Sequence, residues 1–176
     1  MKIDTSSWGE YCVGKLFEIH PTKAYKATNK DLFEDDGVNP VVVNSAYNNG
    51  IGGYTNRKTT EKAGIITFSD TTSADSIFYQ PFDFVGYPHV QGMYPIGDYK
   101  DKWTERSLRF FVAVFHSRAI AVNVDYVKKF TRESAKKMKI HLPSTSSGDP
   151  DWNYMENYIK QVEDKAASYI DIIEDI

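Results

Sequence analysis

Glycines, histidines and a single cysteine are the first residues of this chain to test for enzymatic chemistry. The segment Gly50-Ile51-Gly52-Gly53 lacks the following Lys-Ser or Lys-Thr of a phosphate-binding loop and the spacing of a dinucleotide-binding fingerprint. The four histidines are scattered without a pair at metal-ligand spacing, and Cys12 is the one cysteine. We therefore expect no metal site, and we interpret the glycine-rich segment as a flexible turn.

Acidic residues near the C-terminus match a nuclease pattern only loosely. Asp151 is followed by Glu163-x-Lys165, the acidic–acidic–lysine order of metal-dependent nucleases. Such carboxylates must converge on one metal ion, whereas these two lie twelve residues apart on one expected helix, about 18 Å along its axis. Asn39-Pro40 also lacks the Pro-aromatic pair that follows in amino-methyltransferases. No catalytic residue is predicted.

The segment 44–62 is the clearest candidate for recognition chemistry. It is rich in Asn, Gly and Thr, and asparagine amides match the adenine edge in the major groove of DNA. Arginine and lysine match guanine edges or phosphates, and glycines allow backbone amides to approach closely. Asn-Asn-Gly is also ordinary turn chemistry, so a purely structural loop is the alternative. The candidate DNA-contacting residues here are Asn44, Ser45, Asn48, Asn49, Tyr54, Arg57 and Lys58.

Charge is segregated along the chain, although its net value is only −3. Residues 149–176 carry eight acids and two lysines, so residues 1–148 are net positive, and the window 100–139 holds eleven basic residues and four acids. This distribution is compatible with a body that binds a polyanion. A solvated basic face explains the charge equally well. The candidates for DNA contact in this window are Arg106, Arg109, Lys128, Lys129 and Arg132.

Hydrophobic patterning predicts a mixture of strands and helices. Strands are expected at 41–43, 64–68 and 77–84, and the Gly- and Pro-rich stretch 86–98 is expected to be irregular. Apolar residues between 108 and 115 recur at the spacing of an amphipathic helix. Their aromatic content leaves a strand as the alternative.

The last segment, 149–176, gives the strongest structural pattern. Asp149-Pro150 predicts a helix start, with Asp149 as the N-cap and Pro150 in the first turn. The apolar residues that follow recur at spacings of three and four over about 37 Å of helix, which favours a coiled-coil partner over packing on the same domain. We expect an antiparallel homodimer, with Lys160 and Lys165 near the acidic end of the partner helix. The seam consists of Trp152, Met155, Ile159, Val162, Ala166, Tyr169 and Ile173.

Four stretches of the chain carry a resemblance to a known family. They are Trp8-x-x-Tyr11-x-Val13-Gly14-x-Leu16-Phe17, Pro40-Val41-Val42-Val43-x-Ser45-x-x-Asn48-Asn49-Gly50-Ile51-x-Gly53-Tyr54, Gly64-Ile65-Ile66-Thr67 with Phe78-Tyr79-Gln80, and Leu142-Pro143 followed by Gly148-x-Pro150-Asp151-Trp152-x-Tyr154-Met155-Glu156-x-Tyr158-Ile159. In this order and over nearly the whole chain, they resemble the target-recognition domains of type I restriction–modification specificity subunits and the related type IIB specificity chains. The Pro-Asp-Trp helix start is the most specific part.

This resemblance implies an α+β fold, with a twisted mixed β-sheet target-recognition domain at 1–148 and a coiled-coil spacer and dimerisation helix at 149–176. In the family, two such domains are separated by antiparallel helices, and each contacts one half of an interrupted DNA site. DNA adenine methyltransferase subunits bind the helices. S-adenosylmethionine, ATP and Mg²⁺ belong to these and the restriction subunit, so the chain itself is expected to bind no cofactor. It carries one domain and one helix, which corresponds to half of a subunit.

We therefore expect a non-catalytic, sequence-specific DNA-recognition component of a type I restriction–modification system. One alternative is a protein-interaction or regulatory domain that acts through its coiled coil without binding DNA. A small metal-dependent nuclease is the weakest alternative. The lone cysteine, the lack of a secretory signal and the lack of an apolar stretch of about 20 residues favour a cytoplasmic protein without a membrane partner.

Overall fold

The computed structural model describes residues 3–71, 73–122 and 130–174, with side chains up to residue 170. Strands and helices are intermixed along the chain, as expected for the α+β class. The strands are β1 (Gly9–Cys12), β2 (Phe17–Pro21), β3 (Asn39–Val42), β4 (Ile51–Thr55), β5 (Ile65–Ser69), β6 (Phe78–Gln80), β7 (Val90–Pro95) and β8 (Lys139–Leu142). The helices are α1 (Val13–Leu16), α2 (Asn29–Leu32), α3 (Glu105–Ala121), α4 (Arg132–Lys137) and α5 (Trp152–Glu174).

The main sheet has the strand order β2-β7-β5-β6, and each neighbouring pair is antiparallel. Met93 of β7 pairs with Ile19 of β2 on one side and with Ile66 of β5 on the other, and all three side chains are buried. β7 therefore lies in the middle of the sheet, and the expectation that 86–98 is irregular is wrong.

Gly92 explains why the pattern of β7 is not recognisable as a strand. A Cβ atom on this residue would lie only 2.6 Å from Cε2 of Tyr94, so the packing of the Tyr94 ring requires a glycine inside the strand.

The other expected strands are present with shifted bounds. The one expected at 77–84 is limited to Phe78–Gln80, where Pro81 follows without an amide hydrogen to donate.

Two smaller ladders, β1–β8 and β3–β4, are also antiparallel. In the described residues, parallel pairing occurs at two isolated bridges, Ala24–Gly86 and Val41–Val85. The mixture of parallel and antiparallel pairing that was expected of the sheet is confined, among these residues, to the two bridges. The second bridge, supported by the Val42 amide donating to the Val85 carbonyl at 3.0 Å, holds the β3–β4 hairpin against the segment before β7.

Helix α3 covers the main sheet with its aromatic face. Phe111 and Phe115 are fully buried, and their ring centroids lie 4.6 Å from Phe17 and 6.3 Å from Phe68, respectively. These residues are one helical turn apart and therefore share a face. The amphipathic helix expected from the spacing at 108–115 is confirmed, and the strand alternative is wrong.

Helix α5 begins at Trp152, later than the sequence indicates. The Asp151 carboxylate accepts a hydrogen bond from the Tyr154 amide at 2.9 Å, which makes Asp151 the N-cap. Pro150 instead forms an antiparallel bridge with Ser144. The expectation of Asp149 as N-cap and Pro150 in the first turn is therefore wrong.

The first turns of α5 pack on the body of the chain. Met155 is fully buried, the Trp152 ring lies 6.1 Å from Trp103, and the Tyr158 ring lies 5.5 Å from Phe110. The beginning of the seam thus contributes to the core. No helix in the described ranges, α5 included, is both long and apolar enough to cross a membrane.

The later turns of α5 have a different environment. Val162 is 47% exposed, and Tyr169 and Ile170 are each 56% exposed. Ala166 is also exposed, and the side chain of Ile173 lies outside the described residues. Among the seam residues whose side chains are described, only those of the first part are therefore covered by the same chain.

This division of α5 predicts unequal effects of truncating its apolar side chains. Met155→Ala should lower the free energy of unfolding by about 2–5 kcal/mol, because it removes a fully buried side chain and leaves a cavity. Val162→Ala should change it by less than about 1 kcal/mol. Urea unfolding, at a dilution where sedimentation shows monomers, measures both. Similar losses for the two variants would contradict the division.

Candidate nucleic-acid interface

The segment 44–62, expected to be one loop, is divided by a strand. Residues 44–50 form the turn between β3 and β4, and Asn56–Lys58 follow the far end of β4. The five residues of β4 lie between the two groups and span about 13 Å from end to end at the usual rise of a strand. The candidate DNA-contacting residues of this segment therefore belong to two surfaces.

Asn49 uses its side chain to hold the turn onto the main sheet. Its Nδ2 donates to the Tyr79 carbonyl at 3.1 Å and to Gln80 Oε1 at 3.3 Å. The side-chain Nε2 of Gln80 donates in return to the backbone carbonyl of Asn49 at 3.2 Å. Asn48 and Asn49 both have left-handed backbones, with φ of 50° and 53°, a conformation that asparagine tolerates better than most residues. The structural interpretation of Asn-Asn-Gly applies to Asn49.

Other residues of the turn expose polar groups. Asn44 and Asn48 are exposed. Their side-chain Nδ2 atoms donate to Thr71 Oγ1 and to the Ile51 carbonyl, respectively, each at 3.3 Å. Ser45 Oγ accepts from the Tyr47 amide at 3.1 Å. Tyr47, which is part of the recognition segment but is not among the candidate DNA-contacting residues, is 82% exposed. Tyr54, on β4, is 44% exposed.

Arg57 and Lys58 lie in a cluster of cations whose other members were not predicted from the sequence. The additional members come from the segment after β2, where three lysines lie within eight residues. All members are exposed. We call this surface the basic patch, and it comprises Lys23, Lys26, Lys30, Arg57 and Lys58.

Tyr25 joins the two halves of the basic patch. Its hydroxyl donates to the Lys58 carbonyl at 2.8 Å, and its ring lies 5.2 Å from the Arg57 guanidinium carbon. Arg57 Nη2 also donates to the Asp31 carbonyl at 3.1 Å, next to Lys30. The Thr60 hydroxyl fixes the opposite edge by donating to the Lys23 carbonyl at 2.6 Å.

Glu61 beneath the basic patch is buried and occupied by hydrogen bonds. It accepts from the Lys23 amide at 2.7 Å and from the Tyr94 hydroxyl at 2.8 Å. Burial, together with the bond to Glu61, raises the pKa of Tyr94 far above its ordinary value. The hydroxyl thus remains a donor, and the carboxylate is kept beneath the surface rather than among the cations.

The basic window 100–139 does not form one face in the described residues. Arg106 binds Glu156 and Glu163 of α5 at 3.0 and 2.7 Å, and the hydrogen bonds that it donates to Glu163 and then to Glu156 raise its pKa. Arg109 pairs with Glu105 at 2.7 Å. Arg106 therefore docks α5. Two further candidates of this window, Lys128 and Lys129, lie outside the described residues.

Two concave surfaces collect the remaining candidates. One, of about 380 Å³, is lined by both Asn49 and Arg109, and the guanidinium carbon of Arg109 lies 5.3 Å from the Tyr79 ring centre. The other has a volume of about 390 Å³ and lies where β2 ends and β7 begins. We call it the sheet-end cleft, and it is lined by Pro21, Asp70, Thr71, His89, Gln91, Thr131, Arg132 and Glu133.

The acids of the nuclease pattern have structural partners. Asp151 caps α5, and Glu163 binds Arg106. Within the described ranges, no group of three or more His, Cys, Asp or Glu side chains could hold a metal ion.

Gly52 and Gly53 lie in β4, so the glycine-rich segment is largely a strand rather than the expected flexible turn.

The role of Asn49 predicts different effects of two small replacements. Asn49→Ala should lower the free energy of unfolding by about 2 kcal/mol, because it removes the side-chain hydrogen bonds and because alanine tolerates the left-handed backbone less well than asparagine. Asn49→Gly should cost about 1 kcal/mol less, since glycine accepts this backbone. Urea unfolding tests the order. Lost DNA affinity at unchanged stability would instead identify Asn49 as a direct contact.

Comparisons with solved structures find the same fold in larger proteins. A type I restriction–modification system S subunit from M. genitalium matches with a TM-score of 0.62 and 12% identity, over 97% of this chain and 44% of that one. The HsdS subunit from Thermoanaerobacter tengcongensis matches with a TM-score of 0.59 and 13% identity, over 95% and 40%. This chain thus spans under half the length of these structures. No curated protein matches it.

A family model covers nearly the whole chain. The model of the type I restriction modification DNA specificity domain matches residues 5–171, a range that contains β1 through most of α5 and both surfaces described above. Fold and family model agree with the resemblance carried by the sequence motifs. The chain belongs to the family of type I restriction modification DNA specificity domains and is a target-recognition domain of a specificity subunit.

Proposed function

We propose that this domain binds duplex DNA in a sequence-specific manner, performs no chemistry itself, and directs methyltransferase and restriction subunits to a DNA half-site. Membership of the DNA specificity family supports the class of ligand. The observation that carries the proposal is the basic patch, where two separate chain segments present cations on one surface.

The basic patch has the chemistry of a phosphate-binding surface. Its five cationic side chains are exposed, while Glu61 beneath them is buried and hydrogen-bonded. The Asp31 carboxylate, at the edge, accepts from the Thr28 hydroxyl at 2.6 Å. Lysine and arginine groups of this kind supply most of the sequence-independent affinity for DNA by releasing counterions.

The turn at 44–50 supplies a different kind of group. Asn44, Ser45 and Asn48 offer amide and hydroxyl groups at the opposite end of the β3–β4 hairpin from Arg57 and Lys58. Amide groups can bond the adenine edge in the major groove, and phosphate contacts fix the register in which such bonds form. We assign positioning to the basic patch and base contacts to exposed turn residues, with Tyr54 as support between them.

Catalysis is assigned to other subunits. In the proposed assembly, S-adenosylmethionine, ATP and Mg²⁺ act on the methyltransferase and restriction subunits, and this chain contributes the DNA site. The acids nearest to a nuclease pattern already cap α5 and bind Arg106. This use of the carboxylates favours a recognition role over cleavage.

The later turns of α5 are proposed to pair with a second copy of the chain. Val162, Tyr169 and Ile170 form an exposed apolar surface, which soluble monomers rarely leave uncovered. An antiparallel two-fold arrangement lets each seam meet its counterpart and places a recognition domain at each end. Because Trp152 and Met155 already pack on the body, the proposed contact begins after Ile159.

The phosphate-binding role predicts a loss of affinity that does not depend on sequence. Replacing Lys23, Lys26 and Lys58 with alanine should weaken binding to every duplex about equally. It should also reduce the slope of log K against log salt by up to about 3, since each lost phosphate contact removes about one unit. Fluorescence anisotropy over a salt series measures both quantities.

A matched triple variant controls for the loss of charge. Lys15, Lys100 and Lys160 are equally exposed, but they lie on α1, after the far end of β7, and on α5. Their replacement with alanine should leave the slope nearly unchanged. Equal effects of both triple variants would contradict the basic patch, and wild-type affinity that is insensitive to salt would contradict DNA binding altogether.

The dimer predicts that charges on the exposed seam prevent association. Val162→Asp/Tyr169→Asp should be monomeric at micromolar concentration where the wild type is dimeric, because carboxylates would be buried in the helix pair. Gln161→Asp/Ser168→Asp adds the same charge at exposed positions one residue away and should still dimerise. Sedimentation velocity decides between them. A monomeric wild type, or a seam variant that dimerises as strongly, would refute the pairing.

A further inference from the structure

The sheet-end cleft is built from chain segments that are distant in sequence. β2 ends at Pro21, β5 is followed by Asp70, and β7 is preceded by His89. Antiparallel pairing of Ser69 with Val90 and of Pro21 with Gln91 places these ends at the same edge of the main sheet. Thr131, Arg132 and Glu133, at the beginning of α4, also line the cleft.

Asp70 is a fixed hydrogen-bond acceptor in this cleft. Its Oδ2 accepts from Gln91 Nε2 at 2.7 Å, and its Oδ1 lies 3.2 Å from His89 Nδ1. The Asp70 side chain is 26% exposed, so it is held by two neighbours and still accessible from the cleft. A carboxylate has more acceptor sites than these two partners occupy.

The two residues that hold Asp70 are both in energetically costly states. His89 has a left-handed backbone, with φ of 68°, and its side chain is 63% exposed. Gln91 is only 3% exposed, and its Oε1 is buried without a hydrogen-bond partner among the described residues. Strained backbones cluster at active sites and ligand-binding sites, and an unsatisfied buried polar atom in a native structure calls for an explanation.

The ligand class follows from the mixture of charges in the cleft. Arg132, which lies 4.0 Å from Glu133 through its Nε, provides donors to the cleft, whereas Asp70 and Glu133 provide acceptors. Two carboxylates disfavour a bare phosphate. In DNA recognition, a carboxylate accepts from an exocyclic amino group on a base edge, most commonly the N4 amino group of cytosine.

The cleft and the basic patch both receive residues from the short segment that ends β2. Pro21 lines the cleft, Lys23 belongs to the patch, and Thr22 between them is buried. The Thr22 amide and hydroxyl both donate to the Val90 carbonyl, at 2.9 and 3.1 Å. A DNA backbone bound on the patch would therefore lie next to the cleft.

We propose that the sheet-end cleft is a base-contacting subsite in which Asp70 accepts a hydrogen bond from the exocyclic amino group of a cytosine or adenine. His89 and Gln91 are positioning residues that hold the carboxylate. This subsite rests on the proposed DNA binding and adds a second specificity determinant to the turn at 44–50.

The test compares the full chain with Asp70→Asn. Selection from a randomised duplex library identifies the DNA preferred by the wild type, and anisotropy measures affinity for that DNA and for random duplex. The ratio of the two affinities should fall roughly tenfold in Asp70→Asn. Affinity for random duplex should stay equal or rise, because a negative charge is removed. Asp98→Asn, the same change at an exposed residue beyond the other end of β7, should preserve the ratio.

Base analogues locate the contact. Each preferred adenine is replaced by purine, or each preferred cytosine by 2-pyrimidinone, which removes only the amino group. At one position the analogue should weaken wild-type binding roughly tenfold and have little effect on Asp70→Asn, as expected for two partners of one bond. Equal effects on both proteins at every position would overturn the subsite, as would an unchanged ratio in Asp70→Asn.

His89→Asn provides a second variant that keeps the turn. Asparagine tolerates the left-handed backbone but cannot reproduce the imidazole contact with Asp70, so the affinity ratio should fall while the melting temperature stays near that of the wild type. If Asp70→Asn fails to fold, this variant decides: an unchanged ratio overturns the subsite. A wild type without salt-dependent binding overturns the proposed function and this subsite together, whereas an unchanged ratio in a DNA-binding protein overturns the subsite alone.

Discussion

The pairing of β7 with both β2 and β5 determines which loops of this domain can meet. Because both ladders are antiparallel and share Met93, the end of β2, the end of β5 and the beginning of β7 lie at one edge of the main sheet. The sheet-end cleft is lined by residues at these ends. The basic patch joins the segment after β2 to Arg57 and Lys58, which follow β4. Aromatic packing of α3, through Phe111 and Phe115, covers the sheet behind them and leaves the loops at the edge accessible.

Helix α5 combines two environments along one apolar seam. Its first turns are part of the core, fixed by Met155 and by the ion pairs of Arg106 with Glu156 and Glu163. Its later turns expose apolar side chains to solvent. The seam periodicity is the same in both parts, so the spacing of residues alone does not tell which surface covers them. Tertiary packing makes that distinction.

Local patterns predicted the parts of the fold that local interactions determine. The spacing of apolar residues predicted α3 and α5, and sequence motifs identified the family correctly. Strand β7 was missed because Gly92 is required by a ring from its own strand. The candidate site was predicted only in part, because the basic patch joins the segment after β2 to Arg57 through Tyr25. No pattern within a short window contains such a long-range contact.

The β3–β4 hairpin separates the exposed turn from the cations beyond its other end. The strands between them are held by antiparallel pairing and by the bridge from Val41 to Val85, and this framework does not depend on the exposed side chains of Asn44 or Tyr47. Substitutions at these two positions can therefore accumulate without disturbing the surface assigned to phosphates. Under the proposed function, such a domain can acquire a new target sequence while it keeps its general affinity for DNA. Diversification of its specificity therefore requires little change in the stability of the fold.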